Sequence, residues 1–557
     1  MPNLLHPYGR AALLIALCAL LLLPSLPSAP AAPASAVCPL SSRVLLVPLD
    51  GRPPCRQFVI DAGKISGTDV IVPPSAIQDY YSQPGETKEM RAWLLAQQDA
   101  DAIIVSIDQI LYGGLLAARE HEASTAEIEE MIFFLRALRA AHPKTPIYAF
   151  SILPRLMPQD TIDGYEERRD LVAYSRLAGK KAAGLPVDEA ELARLKDAIP
   201  PENLARYLAH FSENAAMSER LIDLAQEGVL SRLVLGQDDS EAYGIPNIEK
   251  YALSAYLAQK GLTEAQVFLT HGADEIALTL LAAWKNDQAG FHPKIYPHYN
   301  HPESEETTMP YMAVSTGDCA REKIRLIGGT LVDAPENADL VLAISTNDSE
   351  KDTLGSRAPF AAWLDETAQE KDVALVDLSR HFTAEETVLP QLLARHFPIH
   401  TLAAYAGWNT TSNALGTALA ESTLYRASLA EEKGASTRLA ITAENARFLD
   451  NRIMEDYFYL KNTIDTVNRT LKKAGYQNTA DLDLTRNYRW ANAMLQKSMK
   501  KSLAHYKSTP SFRSPFPIQK EGGEQLHLHD ITLDTSYPWP RTFEIYLETT
   551  PLFEKIP

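Results

Sequence analysis

Apolar runs that stop at a carboxylate recur along this chain and restrict it to few architectures. LLVPLD ends at Asp50, IIVSID at Asp108 and LVLGQDD at Asp238 and Asp239, while HGADE carries Asp274 and Glu275. An apolar run of about five to seven residues rich in Val, Ile and Leu reads as a parallel strand buried on both faces. Amphipathic stretches at helical spacing separate the runs, so the pattern is that of βαβ units. Open α/β sheets bind ligands outside the carboxyl ends of their strands, which directs these acids toward one cleft.

Strands are predicted at Val44–Leu49, Asp69–Val72, Ala102–Ile107, Ile147–Ile152, Arg232–Leu235 and Gln266–Thr270. Helices are predicted between them at Glu86–Gln97 and Thr125–Ala141. The stretch Tyr165–Glu227 exceeds what a crossover needs and reads as several helices, broken at Pro186 and at Pro200-Pro201. After a polar, His-rich loop near His292–Glu306, a second set of strands follows at Tyr311–Ser315, Leu340–Ser345, Val373–Leu378 and Leu402–Tyr405. Ten strands are too many for one eight-stranded barrel. The reading is α/β: two doubly wound parallel-sheet lobes with a helical C-terminal extension, with a decorated (β/α)8 barrel as the alternative. The expected divisions are a leader at 1–36, a first lobe at 37–290 with a helical insertion at about 160–228, a second lobe at 291–428, helices at 429–508 and an irregular or short-stranded tail at 509–557.

Arg10, the apolar run Ala11–Leu23 and Ala34-Ser35-Ala36 fit a secretory signal with a small-residue cleavage site. The run falls short of a bilayer span, so no stable membrane span is expected after cleavage, and the address is extracytoplasmic. Acylation of Cys38, which would tether the mature chain, is a less favoured alternative, because Val37 before it is a poor match to the small residue such processing needs. Cys38, Cys55 and Cys319 leave an odd number in the mature chain, which excludes a disulfide framework as the basis of the fold. A formal net charge of -18 argues against nucleic acid as partner.

Five segments carry candidate chemistry. In PLDGRPP, Asp50 and Arg52 present an acceptor and a planar donor from a rigid turn, or else bridge one another. In SIDQILYGGL, Asp108 and Tyr112 precede two glycines that let backbone approach a ligand. In LGQDDSEAYG, Asp238 and Asp239 both reach the cleft only if the chain bends after Gln237; one carboxyl would then titrate as a general acid, with Tyr243 nearby. The competing reading makes Asp239 or Ser240 a helix cap. In THGADE, His271 with Asp274 and an upstream acid would suit a divalent metal, though no metal-binding motif accompanies them. In AYAGWNTTSNALG, Asn409 and Asn413 would read hydroxyls, Trp408 would stack on a ring, and free helix-start amides would favour an anionic group; the competing reading makes Asn409 or Thr410 a helix cap and Trp408 core.

No GxxxxGK[ST] loop, GxGxxG turn or GxSxG elbow is present, so no nucleotide cofactor and no serine nucleophile is expected. PLDGRP, LYGGL, QDDSEAYG, GADE and AYAGWNTTSNALG, in that order, resemble the bacterial domain-of-unknown-function family 4127. The resemblance implies one ancestral unit over most of the mature chain and implies no reaction. Where that family often has proline before the Tyr-Gly pair, this chain has Ala242.

The expectation is an exported hydrolase acting on a carbohydrate or glycoconjugate. Asp238, Asp239, Asp274 and Glu275 would supply acid and base or nucleophile, and Asp50, Arg52, Asp108, Tyr112, Tyr243, His271, Trp408, Asn409 and Asn413 would orient the substrate. A non-catalytic extracytoplasmic binding protein and a metal-dependent hydrolase are the alternatives.

Overall fold

Strands β1 (Ser42–Val47), β2 (Thr68–Ile71), β3 (Ala102–Ser106), β4 (Ile147–Leu153), β5 (Arg232–Gln237) and β6 (Val267–His271) follow one another through the first half of the chain. In a computed structural model, which describes residues 38–158, 165–431, 434–518 and 524–556, they form one sheet in the order β2-β1-β3-β4-β5-β6. All its pairings are parallel. Val44 to Val47 and all of β3 are buried, as a strand covered on both faces requires.

A second sheet is built from β7 (Lys294–Tyr299), β8 (Thr330–Leu331), β9 (Leu340–Asn347), β10 (Val373–Ser379) and β11 (Ala404–Ala406). Its order, β8-β7-β9-β10-β11, repeats the switch of the first sheet, because in each the second strand lies outside the first and the rest run the other way. That reversal opens a crevice at the carboxyl ends of the strands. The fold is α/β with two parallel sheets, and the described residues form no closed barrel.

Two sequence readings are corrected here. Tyr311–Ser315 is a turn leading into the helix Thr316–Leu326, and the first strand of this sheet lies instead in the His-rich segment read as a loop. Lys294–Tyr299 contains Pro297, which lacks an N–H and argues against a central strand. The strand survives because β8 pairs with only Lys294 and Ile295, so on that side Pro297 leaves no ladder bond unmade. The tail is also more regular than expected: β13 (Gln525–Ser536) and β14 (Tyr546–Ile556) pair over their length as an antiparallel hairpin, edged by the short β12 (Phe516–Pro517).

The long crossover after β4 consists of helices Tyr165–Ala182, Glu189–Ala198 and Pro201–Gln226. Pro201 stands at the start of the last of these, where its missing N–H costs nothing. Both sheets contribute to one hydrophobic core, in which Val44 and Ile104 of the first join Leu342 and Val376 of the second. The helices Ile276–Ala289 and Thr411–Glu431 run through it, and each is buried on every side over most of its length. The expected leader at 1–36 lies outside the described residues. Among the described residues no helix is long and apolar enough to cross a membrane, and Cys38, Cys55 and Cys319 are buried.

Beyond Thr411–Glu431, the helix Ala435–Arg452 continues into an 11-residue π-helical stretch, Ile453–Thr463. Such widened turns are rare and tend to position functional groups. At its start Arg452 lies between Glu455 at 2.5 Å and Asp456 at 2.9 Å, with its guanidinium 3.3 Å from the centre of the Phe58 ring. Asp456 in turn accepts the Gly407 N–H at 2.9 Å and so fixes the loop after β11.

Glu421, in the middle of Thr411–Glu431, is fully buried, and burial holds its carboxyl well above the usual range against the opposing pull of Arg452. A raised folded-state value means that ionisation opposes folding as pH climbs past the ordinary carboxyl range. Glu421→Gln is therefore expected to stabilise the protein by about 1–3 kcal/mol at pH 7 and to be neutral at pH 4, as read from urea denaturation at the two pH values.

Candidate active site

A cavity of about 820 Å³ opens at the carboxyl edge of the first sheet. Arg52 follows β1, Arg119 lies beyond β3, Asp238 and Asp239 follow β5, and Asp274 follows β6. Asn409 closes it from the loop after β11, Asn413 from the first turn of the helix Thr411–Glu431, Phe382 from the loop after β10, and Asp481, Arg541 and Phe543 from the C-terminal region. Its size is that of a small-molecule site.

The Pro48–Pro54 turn folds back on itself. Asp50 is buried and grips Arg52 through the backbone N–H at 3.0 Å and through Nε and Nη2 at 2.9 and 2.6 Å. The same Nη2 reaches Asp274 at 2.7 Å, so one guanidinium ties the ends of β1 and β6 together. Asp79, which the sequence did not single out, accepts the Gly51 N–H at 2.9 Å. Burial, then Asp50, pushes its carboxyl well above the usual range. Ligand atoms of Asp50, Cys55 and Asp274 lie within 4.8 Å of one another, as a metal site would require. Arg52 already binds both carboxylates, so this trio does not fit a divalent cation.

At the end of β5 the chain bends after Gln237, and both Asp238 and Asp239 line the cavity. Neither Asp239 nor Ser240 caps the next helix: Ile245–Lys260 starts at Gly244, without a side-chain cap. Asp238 is held by Arg119, whose Nε lies at 3.0 Å and whose Nη2 lies closer still. It also accepts the Asp239 N–H at 2.8 Å. Burial raises the Asp238 carboxyl, but Arg119 and Arg155 outweigh it and leave it below the usual range. Asp239 moves the other way: burial, then the Asp238 charge, pushes it up to about 7. Environment thus separates two adjacent carboxyls into one that stays ionised and one that holds a proton near neutrality.

The end of β6 distributes its polar residues differently. His271 gives Nδ1–H to Glu322 at 2.8 Å and meets Lys250 through Nε2 at 2.7 Å, which fixes the ring at the cavity wall. Asp274 faces the cavity, whereas Glu275 lies beneath it on Lys323 at 2.6 Å. Lys323 also binds the Thr270 hydroxyl and the His271 carbonyl. Gly272 makes this corner possible: its φ is +98°, and a Cβ there would lie 2.1 Å from Glu275 Oε1 and 2.3 Å from Ser412 Oγ. Gly272→Ala is expected to cost roughly 2–4 kcal/mol, measurable by chemical denaturation, since strain and overpacking add at one position.

Several residues expected at the site lie elsewhere. Asp108 is buried just beyond the end of β3, outside the cavity lining, and accepts the Ile152 N–H at 3.0 Å, with burial raising its carboxyl to about 7. Tyr112 is buried and donates to Glu213 at 2.7 Å. Tyr243 is exposed beside Lys180. Trp408 does not face a ligand: it packs against Phe58 and Phe543, because the Asp456 anchor turns its loop inward. Asn409 and Asn413 do line the cavity.

The aromatic wall comes from residues that the sequence did not single out. Six non-glycine residues among those described have positive φ, and four of them, Tyr81, Tyr311, Phe382 and Asn409, line this cavity. Left-handed backbone is unfavourable for aromatic residues and clusters where function demands it. Tyr311 is 56% exposed, faces Phe382 with ring centres 6.4 Å apart, and through its carbonyl accepts the Ser240 N–H at 3.2 Å, next to Asp239.

Searches of curated proteins and of solved structures returned no match. The profile of one family, described as protein of unknown function (DUF4127), matches residues 44–548, which span both sheets and every wall of the cavity. The chain therefore belongs to the DUF4127 family.

Proposed function

We propose that this protein is an exported hydrolase acting on a carbohydrate or glycoconjugate, with Asp239 as general acid and Asp238 as the ionised partner. The observation that carries the reading is the pair itself: adjacent carboxyls on the floor of a deep cavity, with proton affinities moved in opposite directions by Arg119 and by burial. Asp239 would give its proton to the departing glycosidic oxygen. Water attacking the anomeric carbon would release a proton to Asp238, whose negative charge also favours the developing oxocarbenium ion. Tyr311, Phe382 and Asn409 would hold sugar rings and hydroxyls against this pair.

The test is release of nitrophenol or reducing ends from a panel of chromogenic glycosides and defined glycans. Turnover that Asp239→Asn abolishes supports the reading; turnover that survives the change removes it. One observation favours a second reading, a ligand-binding protein: Asp274 and Glu275 are tied to Arg52 and Lys323, leaving fewer free acids than a catalytic crowd suggests. Glycan binding without turnover, equal in wild type and Asp239→Asn, would favour that reading.

A further inference from the structure

A face far from the cavity in character carries the opposite charge to the rest of the chain. Between Tyr488 and Arg513 the sequence has Arg489, Lys497, Lys500, Lys501, Lys507 and Arg513 and no carboxylate, in a chain of net charge -18. Most of these residues lie on the helix Tyr488–Ser508, whose Ala491, Leu495, Met499, Leu503 and Tyr506 are buried. At 100° per residue the five cations of the helix fall within an arc of roughly 120°, opposite that buried stripe. Trp490, 40% exposed, lies on the same arc, within about 20° of Lys497 and Lys501.

Lys507 pairs with Asp530, and Arg513 gives its Nε–H to the Lys507 carbonyl at 3.1 Å. Arg489, Lys497, Lys500 and Lys501 make no ion pair with any described residue, although acids outnumber bases in the chain. Beside them lies a cleft of about 590 Å³ with Leu503 and Phe512 in its floor and Lys500, Lys507, Arg513 and His529 on its rim. Collecting like charges on one face raises the energy of the free protein, and an anionic partner removes that repulsion.

We propose that this face is a docking surface for an anionic phospholipid bilayer. Clustered Lys and Arg on one side of a helix are attracted to anionic headgroups within a Debye length of the membrane. An exposed Trp on the same arc suits the headgroup layer, and an apolar floor beneath a cationic rim suits a phosphate with the start of its acyl chains. A nucleic acid duplex fits less well, because it would extend past the patch onto the acidic remainder of the surface. The helix keeps its apolar stripe in the protein, so the contact is peripheral and electrostatic.

The experiment is co-sedimentation of the full chain with vesicles of phosphatidylcholine alone and of phosphatidylcholine with phosphatidylglycerol, at low and high salt. The wild type is expected to partition onto the anionic vesicles only, and less so at high salt. Lys497→Glu/Lys500→Glu/Lys501→Glu is expected to lower that partition at least roughly tenfold with an unchanged melting temperature, since all three side chains are exposed. Equal binding of variant and wild type would overturn the proposal. So would equal binding to neutral and anionic vesicles, or binding to duplex DNA without binding to anionic vesicles.

Discussion

Asp239→Asn is expected to lower kcat/KM on a cleaved glycoside by about 10²–10⁴-fold, the range that a positioned general acid supplies. The pH profile of the wild type carries the more specific signature. With a folded-state value of about 7, the acid form of Asp239 declines as pH rises, so a catalytic limb should fall through neutrality and be missing from the variant's residual rate. Stability should move the opposite way. A carboxyl whose folded value lies above its unfolded one is disfavoured in the native state once pH exceeds the ordinary carboxyl range, so the Asn variant should melt higher than wild type at pH 8 and level with it at pH 4. Lost activity together with gained alkaline stability separates a catalytic acid from a residue that merely holds the fold. A variant that lost both would mark Asp239 as structural.

The strand-end position of Asp239 is also why it could be read from sequence. Buried parallel strands need continuous apolar runs, and residues that follow such a run lie at the carboxyl edge of the sheet, which places Asp238, Asp239 and Asp274 on the cavity, although the same rule picks out Asp50 and Asp108, which do not line it. The same rule does not say which of two neighbours faces the cavity: Asp274 does, while Glu275 turns under to Lys323, a residue of a helix packed from the second half of the chain. Asp79 and Arg541 were illegible for a similar reason. Asp79 reaches the turn after β1 from the segment that follows β2, and Arg541 reaches the cavity from the C-terminal region, through tertiary packing that no local period encodes. Trp408 misled because polar neighbours suggested exposure, and its burial depends on Asp456, presented by a π-helical stretch that no sequence pattern announced. Strand β7 was hidden by its own composition, since histidine and Pro297 resemble loop chemistry until the short β8 shows why they are tolerated.

The other large effect is expected at Lys323, which has no exposed side-chain surface and holds Glu275 at 2.6 Å, with only 1% of that partner exposed. Lys323→Met removes the cation and leaves a carboxylate in a space without solvent. Breaking a buried pair in this way typically costs about 3–5 kcal/mol, a large share of the ~5–15 kcal/mol that keeps a domain folded. The damage should be greater than the pair alone, because the same ammonium binds the Thr270 hydroxyl and the His271 carbonyl at the end of β6. Two controls give the cause. Lys323→Met/Glu275→Gln should regain much of the lost stability in urea denaturation, since the uncompensated charge is then gone. Glu275→Gln alone should cost less than Lys323→Met, because an ammonium that keeps two oxygen partners is less isolated than a bare carboxylate. Since Glu275 packs against Gly272 and Gly416, where the β6 corner meets the start of Thr411–Glu431, the single Lys323 variant should also loosen Asp274 and Asn413 and weaken ligand binding. A double variant that remained as unstable as Lys323→Met would mean that the bonds to β6, rather than the buried charge, hold this corner together.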